Sequence, residues 1–249
     1  MEETTMILYG INPVREAIRA GQPIERGYVS KRQGQAASVA MQLKQMGVPV
    51  VDVDEARMLE ICRNEDGREP NHQGIAVVIG AVEYASVEDM LQTAAERGQM
   101  PLLLVLDGIT DTNNLGAIIR SAEALGAHGV ILPKRRSAGL SGAVARASSG
   151  AISNLPIARV ANLVSQIESL KQKNIWIAGA TMDGMDATKA DLNCPLCICI
   201  GSEGEGLSRL LKEHCDFTVG IPLLGRTESL NASVAAGILL YEAVRQRRG

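Results

Sequence analysis

Two uninterrupted apolar runs constrain the fold of this chain more than any other feature. Leu102–Leu106 and Leu196–Ile200 each contain five consecutive apolar residues. Runs of this kind, without polar alternation, are typical of strands that are buried on both faces of a parallel sheet. Helical patterns alternate with strand patterns along the rest of the chain, so the sequence predicts an α/β protein.

The 249 residues are predicted to form two α/β units joined by a linker. Residues 1–80 contain four short strand patterns and three helical patterns, the first helix having Asn12 as its N-cap. Residues 81–100 are predicted to be a linker with one helix, which Ser86 caps. Residues 101–249 form the second unit, and its last helix is predicted from Asn231 to Arg247.

The net charge of the whole chain conceals an uneven distribution of charged residues. A net charge of −3 argues weakly against a nucleic-acid partner, but the second unit holds an excess of basic residues. Lys134, Arg135 and Arg136 form one cluster, whereas the arginines near the C-terminus suit the dipole at the end of a helix. Aromatic residues make up only 2% of the chain, which disfavours a base-stacking platform.

The cysteines and the hydropathy indicate a cytoplasmic protein. Five cysteines, an odd number, and an acidic, polar start predict free thiols in a reducing compartment. No apolar run approaches the length of a membrane span. Cys194 and Cys197 have the spacing of a redox or zinc pair, but Cys197 lies in a predicted strand, which favours a structural role. We therefore expect neither a membrane nor a metal as partner.

A glycine-rich turn follows the strand Leu196–Ile200 and contains Glu203 and Glu205. Its glycines have the order G-x-x-G-x-G, which is not the dinucleotide fingerprint, and it lacks the lysine of a Walker loop. Two carboxylates would also repel a pyrophosphate. A ligand with positive charge and hydroxyls, such as S-adenosylmethionine, fits better, although a plain tight turn is the alternative.

Two further stretches have unusually small residues beside polar ones. On the helix that begins near Asn114, Arg120 is flanked by Gly116, Ala117 and Ala124. The first turns of the last helix are equally slim, and Ser229 or Asn231 is expected to cap it. Small residues on a helix face permit another element to approach closely; a solvated arginine on an alanine-rich helix is the alternative.

These three stretches, in this order and spacing, resemble the motifs of the SpoU (TrmH) family of RNA ribose 2′-O-methyltransferases, within the SPOUT superfamily. Tyr9–Val14 and His72–Ile75 are similar to the two ends of the family's substrate-binding domain. The resemblance implies that five polar residues are catalytic and that five positions contact S-adenosylmethionine. The catalytic residues are Asn114, Arg120, Glu203, Ser229 and Asn231; the cofactor positions are Gly179, Thr181, Gly201, Ile221 and Leu230.

The resemblance also implies a fold and a partner. The catalytic domain, 101–249, is expected to contain a trefoil knot and to form a homodimer, and residues 1–80 to be an L30e-like domain that binds RNA. Lys134, Arg135 and Arg136 are then candidate contacts for RNA phosphates. The expected substrate is a guanosine in 23S ribosomal RNA; a transfer RNA, or RNA binding without catalysis, is the alternative. Thr112 and Asn113 depart from the family's frequent Pro-His pair.

Overall fold

A computed structural model describes residues 6–19, 22, 24–30, 34–63, 70–80 and 84–248. The chain forms two compact units. Unit 1 comprises residues 1–83 together with 140–154, and unit 2 comprises residues 84–139 and 155–249. In the described part of the chain, no helix is long and apolar enough to cross a membrane.

Unit 1 is built on a mixed sheet of four described strands in the order β1-β4-β2-β3. These strands are β1 (Met6–Tyr9), β2 (Ile24–Val29), β3 (Val50–Asp52) and β4 (Ile75–Ile79). Strand β4 is antiparallel to β1 and β2, whereas β2 and β3 are parallel. Helices α1 (Ile11–Arg19), α2 (Gly34–Gln45) and α3 (Glu55–Ile61) connect them. Asn12 lies inside α1 rather than at its N-cap, because the helix already begins at Ile11, and the predicted helix end at Gly21 lies outside the described residues.

The segment 140–154 packs within unit 1, although the sequence analysis placed it in the catalytic domain. It contains the short helix α6 (Gly142–Ala147) and a 3-10 turn, Ala151–Ser153. A Cβ atom on Gly142 would lie 2.3 Å from the carbonyl oxygen of Ile7, so only glycine permits this approach. The guanidinium of Arg146 lies 4.0 Å from the ring centroid of Tyr9, within range of a cation–π interaction. Sequence periodicity could not show these long-range contacts.

Unit 2 contains a parallel sheet of six described strands in the order β10-β8-β9-β5-β6-β7. The strands are β5 (Leu102–Leu106), β6 (Gly129–Pro133), β7 (Ile157–Val160), β8 (Trp176–Asp186), β9 (Leu196–Ile200) and β10 (Phe217–Gly220). The two apolar runs are β5 and β9; they are neighbours, and every residue in them is buried. The predicted parallel sheet is thus confirmed. Strand β7 and helix α6 were not predicted.

Helices cover both faces of this sheet. They are α4 (Val87–Glu96), α5 (Thr112–Ala124), α7 (Leu163–Gln172), α8 (Arg209–Glu213) and α9 (Ala232–Arg248). Leu103, Val105 and Cys197 pack in one core cluster with residues of α4 and α7. Helices α5 and α9 pack against each other. Ser86 is the N-cap of α4, as predicted, and forms a capping box with Asp89. Helix α4, which lies in the predicted linker, buries Val87 and Met90 in this core.

Candidate active site

The carboxyl ends of β5 and β9 bring the predicted motifs together. Open α/β sheets bind ligands at the carboxyl ends of their strands. The glycine-rich turn after β9 folds back tightly, with paired backbone hydrogen bonds between Ser202 and Gly206. A Cβ atom on Gly201 would lie 2.0 Å from the carbonyl carbon of Gly206, so this turn requires glycine at its first position.

Three of the predicted catalytic side chains form one hydrogen-bonded network. The side-chain nitrogen Nδ2 of Asn114 donates to Oε1 of Glu203 at 2.8 Å. Nδ2 of Asn231 donates to Oδ1 of Asn114 at 2.9 Å and also to Oε1 of Glu203. One residue from each motif takes part, which places α5, the turn after β9 and α9 in a fixed mutual arrangement.

Asn231 has a second function at the same position. Its Oδ1 accepts from the backbone nitrogen of Ser233 at 3.0 Å and from that of Val234 at 3.3 Å, so it is the N-cap of α9. The side-chain oxygen therefore holds the helix, and the side-chain nitrogen holds the network. Asparagine provides an acceptor and donors on one short side chain, as both functions require.

Two aspartates that the sequence analysis did not select support this arrangement. Oδ1 of Asp111 accepts from the backbone nitrogen of Asn114 at 2.7 Å and caps α5. Oδ2 of Asp107, directly after β5, accepts from the backbone nitrogen of Ser208 at 2.8 Å. This bond joins the end of β5 to the residue before α8. An N-cap pattern at Asp111 is visible in the sequence, but the partner of Asp107 is 101 residues away.

The other two predicted catalytic residues lie on α5 and in the segment before α9. Arg120 is exposed on α5, and Ser229 is exposed in the segment 222–229 before α9. The small residues near Arg120 permit α9 of the same chain to pack on α5. A Cβ atom on Gly237 of α9 would lie 3.7 Å from Oγ of Ser121.

The basic cluster lies at the same end of the sheet, directly after β6. Lys134, Arg135 and Arg136 are exposed. Nη2 of Arg136 lies 3.1 Å from Oε2 of Glu205 in an exposed ion pair. The two carboxylates of the glycine-rich turn thus contact protein groups: Glu203 binds two asparagines, and Glu205 binds an arginine.

The predicted cofactor positions lie around the same turn. Gly179 and Thr181 belong to β8; a Cβ atom on Gly179 would lie 2.9 Å from Sγ of Cys215 and 3.1 Å from Cδ1 of Leu207. The pairing of β8 with β10 shifts after Thr218, and a Cβ atom on Gly220 would lie 2.9 Å from the carbonyl oxygen of Thr181. Ile221 follows β10, and Leu230 precedes Asn231. Backbone of β8, of β10 and of the segment after β9 therefore packs closely at the predicted cofactor positions.

The two cysteines of β9 are packed in the core rather than exposed for reaction. Cys197 and Cys199 are fully buried in β9. A hydrogen bond with Cys197, together with burial, raises the pKa of the Cys199 thiol well above its usual value. A high thiol pKa suppresses the reactive thiolate. In the described residues, no group of three or more histidines, cysteines or carboxylates could hold a metal ion.

Comparisons with known proteins give the same assignment over the whole chain. The model of the SpoU rRNA methylase family matches residues 101–241, and the model for RNA 2′-O ribose methyltransferase substrate binding matches residues 7–85. A Bacillus subtilis protein assigned to the TrmH family of tRNA/rRNA methyltransferases, YacO, is 39% identical over 96% of this chain and 94% of its own length.

Solved structures show the same fold. The SpoU methyltransferase AviRb from Streptomyces viridochromogenes, in complex with the cofactor AdoMet, has a TM-score of 0.79 and 26% identity, over 98% of this chain and 91% of its own. The AdoMet-bound rRNA methyltransferase from Sinorhizobium meliloti has a TM-score of 0.76 and 28% identity, over 97% of this chain and 87% of its own. This chain therefore belongs to the SpoU (TrmH) family of RNA 2′-O ribose methyltransferases.

Proposed function

We propose that this protein transfers a methyl group from S-adenosylmethionine to the 2′-hydroxyl of a ribose in structured RNA, and that the acceptor is a guanosine in 23S ribosomal RNA. The observation that carries the proposal is the network of Asn114, Glu203 and Asn231. It joins three motifs at the carboxyl ends of parallel strands, where open α/β sheets bind their ligands.

The residues around the network fit this cofactor. Gly201, Gly179 and Gly220 permit close packing of the backbone segments that contain the proposed cofactor positions. The positions that would hold S-adenosylmethionine are Gly179, Thr181, Gly201, Ile221 and Leu230. When bound, it supplies an activated methyl group on a sulfonium. The AdoMet in the AviRb and Sinorhizobium meliloti structures supports this assignment.

The protein's own residues then have to activate and orient the acceptor. A ribose hydroxyl is a weak nucleophile until its proton leaves. An arginine does not give up its proton near neutral pH, so we assign to Arg120 the stabilisation of the developing alkoxide rather than the role of a base. Asn114, Glu203, Ser229 and Asn231 position the reacting groups.

The family assignment and the charge distribution support an RNA substrate. The family model is named for rRNA methylation, and residues 7–85 match a domain for RNA 2′-O ribose methyltransferase substrates. Lys134, Arg135 and Arg136 provide exposed cations beside the site. The relatives named tRNA/rRNA methyltransferases keep transfer RNA as the second candidate.

Dimerisation completes the proposal. Val234, Ile238 and Tyr241 are exposed on α9 at intervals of four and three residues, and form an apolar stripe on one helix face. A second copy of the chain is the expected occupant, as the family resemblance implies. The trefoil knot, too, stays an expectation from that resemblance.

The decisive experiment combines donor binding with mapping of the product. Calorimetry should show uptake of S-adenosylmethionine and none of NAD. RNA from a deletion strain is then mapped for 2′-O-methyl groups before and after incubation with the enzyme and donor. One methyl group should be restored, on a guanosine of 23S RNA. Restoration of a methyl group in transfer RNA would show that transfer RNA is the substrate instead. Uptake of NAD without uptake of the donor would refute the proposal.

A further inference from the structure

The ends of β6 and β7 carry polar contacts that the catalytic proposal does not use. Arg159 lies in β7, opposite Leu132 of β6. Its Nη2 donates to the carbonyl oxygen of Lys134 at 3.1 Å, and the backbone nitrogen of Lys134 donates to the carbonyl oxygen of Val160 at 2.8 Å. Strand β7 therefore holds the first residue of the basic cluster in place.

An aromatic ring lies beside the same arginine. The backbone nitrogen of Ala85 donates to the carbonyl oxygen of Ile157 at 2.9 Å, which holds the segment before α4 along β7. The ring centroid of Tyr84 lies 5.6 Å from Cζ of Arg159, within range of a cation–π interaction, and Tyr84 is 38% exposed.

These groups continue towards the catalytic network. Arg136, two residues after Lys134, contacts Glu205, and Glu205 belongs to the same turn as Glu203. Cations therefore extend from the glycine-rich turn across the end of β6 to the edge strand β7. Nε of Arg159 is buried and has no hydrogen-bond partner in the described part of the chain, so only the outer nitrogens of its guanidinium can face a ligand.

We propose that Tyr84, Arg159 and Lys134 form a subsite for an RNA nucleotide that flanks the methylated one. Arg159 and Lys134 contact its phosphate, and the ring of Tyr84 stacks on its base. Alternation of cations with an aromatic face is the arrangement that binds single-stranded nucleic acid. An acidic peptide would use the cations but not the ring. This subsite rests on the proposed function, because it assumes an RNA substrate.

Binding of a fluorescently labelled oligouridine by the full-length protein tests the subsite without requiring methyl transfer. Tyr84→Leu should weaken binding by at least about fivefold, the lower range for loss of one base–aromatic stack, whereas Tyr84→Phe keeps the ring and should bind like the wild type. Arg159→Gln should lower the slope of log affinity against log salt by about 0.7, the value for one phosphate contact on a single strand. Arg159→Lys keeps the charge and should preserve the slope.

Matched controls lie at the opposite end of the sheet. Trp176→Leu removes an exposed aromatic ring at the start of β8 and is the control for Tyr84→Leu. Lys173→Gln removes an exposed cation and is the control for Arg159→Gln. Both should bind oligouridine like the wild type. Melting temperatures establish that Tyr84→Leu and Arg159→Gln are folded. The proposed subsite is wrong if these folded variants bind oligouridine no more weakly than the controls. Absence of methyl transfer to any RNA would instead refute the proposed function, so the two failures are distinguishable.

Discussion

The two ends of the six-stranded sheet in unit 2 both carry polar side chains, but these side chains bind different partners. At the amino ends of the strands, Arg247 and His128 bind backbone. Arg247 donates to the carbonyl oxygens of Met100, Pro101 and Cys194 at 2.8, 2.8 and 2.6 Å. Nδ1 of His128 accepts from the backbone nitrogen of Leu102 at 3.0 Å.

At the carboxyl ends, some side chains, such as Asp107, also bind backbone, but others bind side chains from distant segments. Asn114, Glu203 and Asn231 bind one another, and Arg136 binds Glu205. Side chains bound to backbone satisfy groups that folding would otherwise bury unpaired, and so stabilise the fold. Side chains that hold each other in an exposed site fix a geometry for a ligand. Helix α9 reaches both ends, with Asn231 at its start and Arg247 in its last turn. The comparison predicts that substitutions at the carboxyl ends change activity, and substitutions at the amino ends change stability.

The largest expected effect is at Arg120. Arg120→Ala should lower turnover by roughly a hundredfold or more, the scale for losing one donor that stabilises transition-state charge. Folding and donor affinity should stay near those of the wild type, because the side chain is exposed. Arg120→Lys keeps the charge but loses the planar fork, so little activity should return. Single-turnover methylation beside donor binding checks this, and wild-type rates in Arg120→Ala would end the assignment.

Substitutions at Asn231 distinguish its function as the N-cap of α9 from its function in the hydrogen-bonded network. Asn231→Asp keeps an oxygen for the N-cap but loses the donors to Asn114 and Glu203, and it places a second carboxylate beside Glu203. Turnover should fall by about tenfold or more, because the motifs lose their fixed arrangement. The melting temperature should change little, whereas Asn231→Ala should also lose about 1 kcal/mol of stability with the cap.

A second substitution sharpens this test. Adding Glu203→Gln to Asn231→Asp supplies an amide donor and removes the charge repulsion, so part of the turnover should return. Equal turnover in the single and the double variant would contradict the network as the reason for the loss.

Arg247 tests the opposite end of the sheet. Arg247→Ala should destabilise the fold by about 2 to 3 kcal/mol, because three carbonyl oxygens lose a charged donor. The neighbouring Arg248 is exposed and shares the helix dipole, so Arg248→Ala should cost less than about 0.5 kcal/mol. Urea unfolding measures both. Equal losses would restore the interpretation that these arginines act only through the helix dipole.

The smallest expected effect is a pH dependence at His128. Burial, with the nearby cations Arg97 and Arg247, lowers the pKa of His128. The unfolded chain therefore binds a proton at higher pH than the folded one. The contribution of His128 to stability is complete above the ordinary histidine pKa of about 6.5 and is lost as the pH falls below it. Unfolding between pH 7 and 5 should show a steeper loss in the wild type than in His128→Gln; parallel curves would exclude His128 as the cause.

Much of the fold was readable from local patterns. The two apolar runs predicted buried parallel strands, and Ser86 was predicted as an N-cap, because a strand's burial and a helix cap depend on neighbouring residues. The cap of the last helix was predicted at Ser229 or Asn231, and the structure shows that Asn231 is the cap. The family followed from the order of three motifs, which is also a property of the sequence.

Other features depended on the path of the chain in space. Glu203 is 89 residues from Asn114 and 28 from Asn231, so only the order of the strands brings the three side chains together. Arg159 lies in a strand that was not predicted, and its link to Lys134 requires β6 and β7 to be neighbours. Arg247 was interpreted through the helix dipole, because the carbonyl oxygens that it binds are 53 to 147 residues away. The sequence by itself determined the strands, the helix caps and the reactive residue types, since these depend on local periodicity and side-chain chemistry. Only the tertiary structure decided which side chains meet, because that depends on how distant segments pack across the sheet.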